Sequence, residues 1–262
     1  MRACLSVLRI RAACELQYRA AALSGMVTQF FWGLLLISIY KAFYESSGQG
    51  EFAQVATYVW LQQAFFRLML GGDNGIYQAI NDGGIAYELC RPLHPYIYWS
   101  MRDVACRFAS SSVRAALMIP LALLIPAPYN LSLPVSTVAL VMSFTTLLLG
   151  ICISTATIQI LNAYVIRTLD RRGLANIFSG CLFLFSGNLL PLTLFPESWQ
   201  PLLRAQPFAQ VLDIPIRLYT GQLPVSEMPV IILTQVMWLL VLTILGLWAW
   251  NANLKRLVVQ GG

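Results

Sequence analysis

Apolar residues run through this chain in long blocks, and polar positions fall between the blocks rather than alternating with them. The blocks cover residues 21–44, 52–70, 105–127, 135–165, 174–194 and 229–251, and a helix needs roughly 20 predominantly apolar residues to cross a bilayer. Strand-period alternation is absent, and open backbone in hydrocarbon is prohibitive. The pattern therefore predicts an all-α, polytopic membrane protein with six transmembrane helices in one domain, 1–262. The second and third blocks are the most polar, carrying Arg67, and Arg107 with Arg114.

The interruptions are as informative as the blocks. The longest polar one, 71–99, reads GGDNGIYQAINDGGIAYELCRPLHPYIYW; rich in Gly, Asn and Asp and carrying Glu88 and Arg91, it must lie outside the hydrocarbon on one face, as a contact for a soluble partner. Residues 1–19 set arginines and Glu15 among Leu5, Val7, Leu8, Ile10 and Leu16, which fits a helix along the inner membrane surface or a basic lead-in to the first span. In 187–224, Pro191, Pro196, Pro201, Pro207, Pro215 and Pro224 cut an apolar stretch into pieces too short to span. Those pieces predict an external re-entrant hairpin of short helices that dip into the outer leaflet or cap the bundle, and long loops of this kind usually carry function.

Composition agrees: 58% of residues are hydrophobic and 11% charged, against about 25% charged in an ordinary soluble domain, and mean hydropathy is +0.68. The formal charge of +6 does not point to nucleic acid once its distribution is followed. With the N-terminus inside, Arg2, Arg9, Arg11, Arg19, Arg91, Arg102, Arg107, Arg167, Arg171, Arg172, Lys255 and Arg256 fall on or near the cytoplasmic side. Only Lys41, Arg204 and Arg217 fall outside, so the charge reports orientation, with both termini cytoplasmic.

Six cysteines without a C-x-x-C pair, and a lone His94, support neither a disulfide framework nor a zinc site. The only lysines, Lys41 and Lys255, follow no phosphate-binding glycine pattern, so the chain does not hydrolyse ATP by itself. The absence of G-x-S-x-G and H-E-x-x-H motifs argues against an enzyme.

Polar groups inside the blocks mark candidate pathway positions, because a charge or amide in hydrocarbon faces a bundle interior or water. Gln62, Gln63 and Arg67 stand in the second block. Asp103 and Arg107, four apart, can pair on one helical face. Arg114 is the deepest charge, about 18 Å from the outer end at 1.5 Å per residue; it either lines a polar cavity or meets a carboxylate of another subunit. The fourth block, with Ser143, Thr145, Thr146, Gly150, Ser154, Thr155 and Thr157, suits close packing at the centre.

Two stretches carry a family resemblance: Ile85-Ala86-Tyr87-Glu88-Leu89-Cys90-Arg91-Pro92-Leu93, and Gly187-Asn188-Leu189-Leu190-Pro191-Leu192-Thr193-Leu194-Phe195-Pro196 continued by Gln206-Pro207-Phe208-Ala209 and Pro215-Ile216. With the six-block layout they resemble the permease subunit of ABC type 2 exporters, in the branch that pairs two related permeases with a separate ATPase. The resemblance implies a coupling helix between spans two and three, formed by residues 74–81 with Ile76, aimed by the Asp82-Gly83-Gly84 turn and making charged contacts through Glu88 and Arg91. It implies a nucleotide-binding ATPase partner, a second permease in a homo- or heterodimer, no cofactor on this chain, ATP and Mg on the partner, and a bacterial cytoplasmic (inner) membrane location. It also implies a pathway for an amphipathic or hydrophobic substrate lined by Gln62, Gln63, Phe183, Phe185 and Asn188, with Arg67 and Arg114 as further candidates. An ATP-independent carrier or channel and a non-transporting membrane scaffold are the competing readings.

Overall fold

A computed structural model describes residues 2–17, 19–47, 52–68, 75–168 and 172–255. The first four positions of the polar interruption, 71–74, together with Arg171 and Arg256, lie outside the described residues. Every regular element among the described residues is helical: α1 (Arg2–Gln17), α2 (Arg19–Ser47), α3 (Phe52–Ala64), α4 (Gly75–Asn81), α5 (Ile85–Leu89), α6 (Pro95–Leu123), α7 (Thr137–Thr168), α8 (Arg172–Phe185), α9 (Gln200–Ala205), α10 (Asp213–Tyr219) and α11 (Met228–Leu254), with four short 3-10 turns between them.

Among the described residues, four helices, α2, α6, α7 and α11, are long and apolar enough to cross a membrane. Their outward faces stay apolar: Phe31, Leu35 and Ile39 of α2 and Leu233, Leu240, Ile244 and Trp248 of α11 are exposed. Water would not tolerate so much contiguous apolar surface, whereas lipid does. The second and fifth blocks form shorter helices than the pattern predicts. With 13 residues in α3 and 14 in α8, each is about 20 Å long against a hydrocarbon core of about 30 Å. The reason is local for each: α3 tightens into a 3-10 turn at Phe66–Leu68, and α8 breaks at Gly187, whose φ is +79°, in the left-handed region that favours glycine.

The third helix departs from its expected bounds in the other direction. It begins at Pro95, ten residues before the apolar block, because His94 caps it by accepting from the Tyr96 N–H at 3.2 Å and Pro95 occupies the first turn. Its polar first turns therefore belong to a helix end and not to the loop. The Asp103–Arg107 pair forms as the spacing predicts, at 2.7 Å. Arg107 also donates to the Leu68 carbonyl at 2.9 Å, and Ser154 of α7 donates to the same oxygen at 3.1 Å, so the carbonyl freed where α3 ends is satisfied by two neighbouring helices. The N-terminal helix lies against α6, with the Arg11 Nε–H donating to Cys106 Sγ at 3.3 Å.

The fourth block is central, as its small residues predict: α7 packs along α11 and also meets α6, α10 and α4. The main core fills the space between α2, α3, α6 and α7, with Ile37, Tyr58, Trp60, Met118 and Ile153 almost wholly buried. The proline-cut segment enters the bundle rather than wandering over it. All of α10 is buried, and Gln235 of α11 donates to the carbonyls of Thr146 and Gln210 at 3.1 and 3.0 Å. Ser143 of α7 donates to the Pro215 carbonyl at 2.6 Å. Side-chain amides and hydroxyls thus supply the partners that broken backbone needs away from water.

Candidate functional site

Two regions carry functional geometry: the segment between α3 and α6 at one end of the bundle, and a cavity between α2, α3 and α8.

The first is a helix–turn–helix lever. Gly83, at φ +70°, ends α4 by donating to the Ile80 carbonyl at 3.2 Å, while the Asp82 N–H donates to the Gln78 carbonyl at 2.8 Å; the reversal points α5 back towards α6. Ile76 and Ile80, one turn apart, and Ile85 face inward. They join Tyr96 and Trp99 of α6, Ala163, Val165 and Ile166 of α7 and Trp250 of α11 in a buried cluster. Hydrogen bonds fix the seat from behind. Trp250 donates to the Gln159 carbonyl at 2.8 Å and Asn253 to that of Ala163 at 2.8 Å, and His94 Nε2 lies 3.0 Å from Asn251 Oδ1. Because the other ring nitrogen of His94 accepts from Tyr96, Nε2 carries the proton and donates to Asn251.

The opposite face of the lever is open. Gln78, Asp82, Cys90, Arg91 and Pro92 are exposed, as are Tyr87 at 79% and Leu89 at 44%. The coupling residues named from the sequence therefore divide. Ile76 is buried and holds the seat; Gly83 and Gly84 make the turn; Asp82 and Arg91 face out, Arg91 over the Tyr98 ring at 5.1 Å. Glu88 is half-buried, its carboxylate accepting from Trp99 Nε1 at 2.7 Å, and Arg102 covers the face of that indole at 4.6 Å. Burial pushes the Glu88 carboxyl up from its ordinary value despite the bond to Trp99 and the nearby Arg91 and Arg102 charges. Its position makes Glu88 a brace between α5 and α6. Trp99, Tyr98 and His94 complete the brace; along the sequence they read only as interfacial aromatics and a lone histidine.

The second region is a cavity of about 230 Å³ lined by Gln29, Trp32, Gln63, Phe66, Phe183 and Asn188, with Leu36 and Leu189 at its margin. The structure thus brings Gln63, Phe183 and Asn188 together as expected, and Phe66 meets Phe183 edge-on at 6.0 Å. Gln62 stands beside it with its amide donating to the Gly187 carbonyl at 3.1 Å and to that of Asn188. Phe185 faces away, packed with Leu192, Leu203 and Ala209. Arg67 and Arg114 do not line the cavity. Gln29 and Trp32, from the first span, do, and their only sequence signal is an amide in an apolar block.

Behind the cavity lies a buried polar node. The Tyr58 hydroxyl donates to Asp213 Oδ1 at 2.8 Å, and Asp213 Oδ2 lies 3.5 Å from Arg217 Nη1, all three residues being buried. A Cβ at Gly187 would run into the Tyr58 hydroxyl, so this turn admits only glycine. The node ties α3, the end of α8 and α10 into one block.

Among the described residues, an all-α fold with four span-length apolar helices and broken segments met by side-chain amides defines a polytopic membrane protein. The family model described as ABC-2 family transporter protein matches residues 23–261, and the chain belongs to that family. It is accordingly the membrane component of an ABC transporter, and the family implies an ATPase partner. The match begins in α2 and leaves α1 outside it. No curated protein matches the chain.

Proposed function

We propose that this chain is the permease subunit of an ATP-driven exporter in a bacterial cytoplasmic membrane, paired with a second permease and driven by a separate nucleotide-binding subunit. The carrying observation is the two-faced lever: α4 and α5 press three isoleucines into the inner ends of α6, α7 and α11 and leave Tyr87, Leu89 and Arg91 free. A bistable bundle receives work from a soluble motor through such a rigid element. The seat transmits force into the helices, and the free face meets the ATPase. In this reading α3 and α8 also cross the membrane, completing their paths with non-helical backbone that neighbouring side chains satisfy. That gives six crossings with both termini inside. The cavity between α2, α3 and α8 lies on the route of an amphipathic substrate. ATP and Mg act on the partner.

The test is association and coupling together. Purification in mild detergent recovers the ATPase subunit, and Tyr87→Ala with Arg91→Ala lowers substrate-stimulated ATP hydrolysis at least tenfold while the permease still folds. Transport by the lone chain, or turnover indifferent to both substitutions, rejects the reading in favour of a carrier or a scaffold.

A further inference from the structure

The cavity holds three polar side chains that the protein itself does not satisfy. Gln29, Gln63 and Asn188 are each at least nine-tenths buried, each lines the cavity, and the carbonyl oxygens Gln29 Oε1, Gln63 Oε1 and Asn188 Oδ1 have no partner among the described residues. An orphaned amide in an apolar, aromatic surround costs free energy unless something polar comes to it. The rings of Trp32, Phe66 and Phe183 supply the apolar wall. Two of the lining residues, Trp32 and Leu189, are 51% and 52% exposed, beside the apolar outer face of α2. The space therefore suits an amphiphile that arrives sideways from the bilayer and has a polar end.

The three orphaned oxygens are acceptors that a neutral hydroxyl donor would satisfy, so they do not choose the charge of that end. The arginines do. Gly25 stands one helical turn inward of Gln29 on α2, and Arg67 one turn inward of Gln63, because α2 and α3 run in opposite directions. On α6, Arg107 already reaches Leu68 beside Arg67, and Arg114 stands two turns further along the same face. A Cβ at Gly25 would lie 3.1 Å from Arg114 Nη2, so this guanidinium presses against the α2 backbone where no side chain intervenes. Arg67 and Arg114 carry the same positive charge. Both are only partly exposed, and among the described residues no carboxylate pairs with either. Two like charges one helical turn beyond the cavity's lining attract an anion and reject a cation.

We propose that the cavity and the arginine pair form one binding site for an amphiphile with an anionic head group, a phosphate, sulfate or carboxylate. The head sits between Arg67 and Arg114, the adjoining polar atoms meet Gln29, Gln63 and Asn188, and the apolar body lies against Trp32, Phe66 and Phe183. That this amphiphile is cargo rests on the exporter reading above; that it binds does not.

The experiment uses the full-length protein with its co-purifying subunits in phosphatidylcholine nanodiscs and a dodecyl phosphate carrying a diazirine on its chain. Mass spectrometry places the label on peptides containing Trp32, Phe66 or Phe183. Unlabelled dodecyl phosphate competes at least tenfold better than dodecyltrimethylammonium. Arg67→Gln with Arg114→Gln brings the two competitors to parity, and Arg114→Lys, which keeps the charge, preserves most of the preference even if the neutral variant fails to fold. The proposal is overturned if the ammonium competes as well as the phosphate in the natural protein, if the label falls elsewhere, or if the arginines prove to be neutralised by a carboxylate of the second permease. Label displaced by Mg and ATP supports the site and marks the amphiphile as cargo; label retained supports the site and marks a resident lipid. Labelling without any co-purifying ATPase removes the exporter reading and leaves the site standing.

Discussion

The two segments that leave the membrane-crossing pattern are held by opposite means. One, 187–224, is locked from within: Asp213, Arg217 and Tyr58 form a buried polar node, and Gln206, Gln210 and Gln235 satisfy or present backbone partners around it. The other, described over 75–99, is held through its apolar face by Ile76, Ile80 and Ile85, and at its edge Glu88, Arg91 and Arg102 gather around the adjacent rings of Tyr98 and Trp99. A buried charge pair resists change because removing either member strands the other in low dielectric. An apolar seat with a free outer face can be loaded and unloaded by a partner. One segment is thus core and the other a surface element seated through one face, although both interrupt the same kind of apolar chain.

That contrast predicts a graded series of effects. Asp213→Ala has the largest, because Arg217 stays buried without its partner; loss is about 3–5 kcal/mol, read as a collapse of thermal stability in detergent, and replacing both residues by leucine and methionine recovers most of it. Equal damage from the single and double variants would show that the pair is not the lock. Ile76→Ala comes next, removing a wholly buried side chain from the seat at about 2–4 kcal/mol, yet the loss is local: hydrogen exchange rises across 75–92 while 187–224 stays protected. Gly187→Ala costs about 1–2 kcal/mol from its left-handed backbone, plus whatever the crowding against Tyr58 adds, and lowers the melting temperature without changing exchange at the lever.

The smallest effect is a pH dependence at Glu88. Its folded carboxyl lies above the ordinary value, so the folded lever binds the proton more tightly than the unfolded one and loses stability as pH rises from the ordinary carboxylate range through the folded value. Protease protection of 75–92 is therefore greatest on the acid side of that window and declines by less than tenfold across it. Glu88→Gln, whose side-chain oxygen still accepts from Trp99, flattens the curve, whereas a variant that keeps the slope would place the titration elsewhere.

Much of this was legible along the chain. The Asp103–Arg107 spacing and the small residues of the fourth block each reported a physical need that the fold meets; the polar interruption and the proline-cut segment break into short helices, although 95–99 joins α6 instead of the loop. The lever's turn was legible too, since Asp82-Gly83-Gly84 supplies the left-handed residue a sharp reversal requires. Glu88 was less so: its charge suggested an outward contact, but the neighbour that claims it, Trp99, is eleven residues on and meets it only because α6 begins early. Gln63, Phe183 and Asn188 stand out as polar or aromatic marks inside apolar blocks; Gln29 and Trp32 carry the same kind of mark in the first block, and only packing brings them to the cavity.

What the sequence determined by itself is the solvent and the places where the chain must break, because hydropathy and proline act on each residue where it stands. What only the tertiary structure decided is which breaks are buried and which are free, and which polar atoms find partners. Those outcomes depend on residues far apart in the chain: Tyr58 on Asp213, Arg107 on Leu68, and Gln29 on Gln63 and Asn188 across one cavity. In a medium without water, a polar group is either answered by a distant neighbour or left to bind something else, and only the packed bundle sets which.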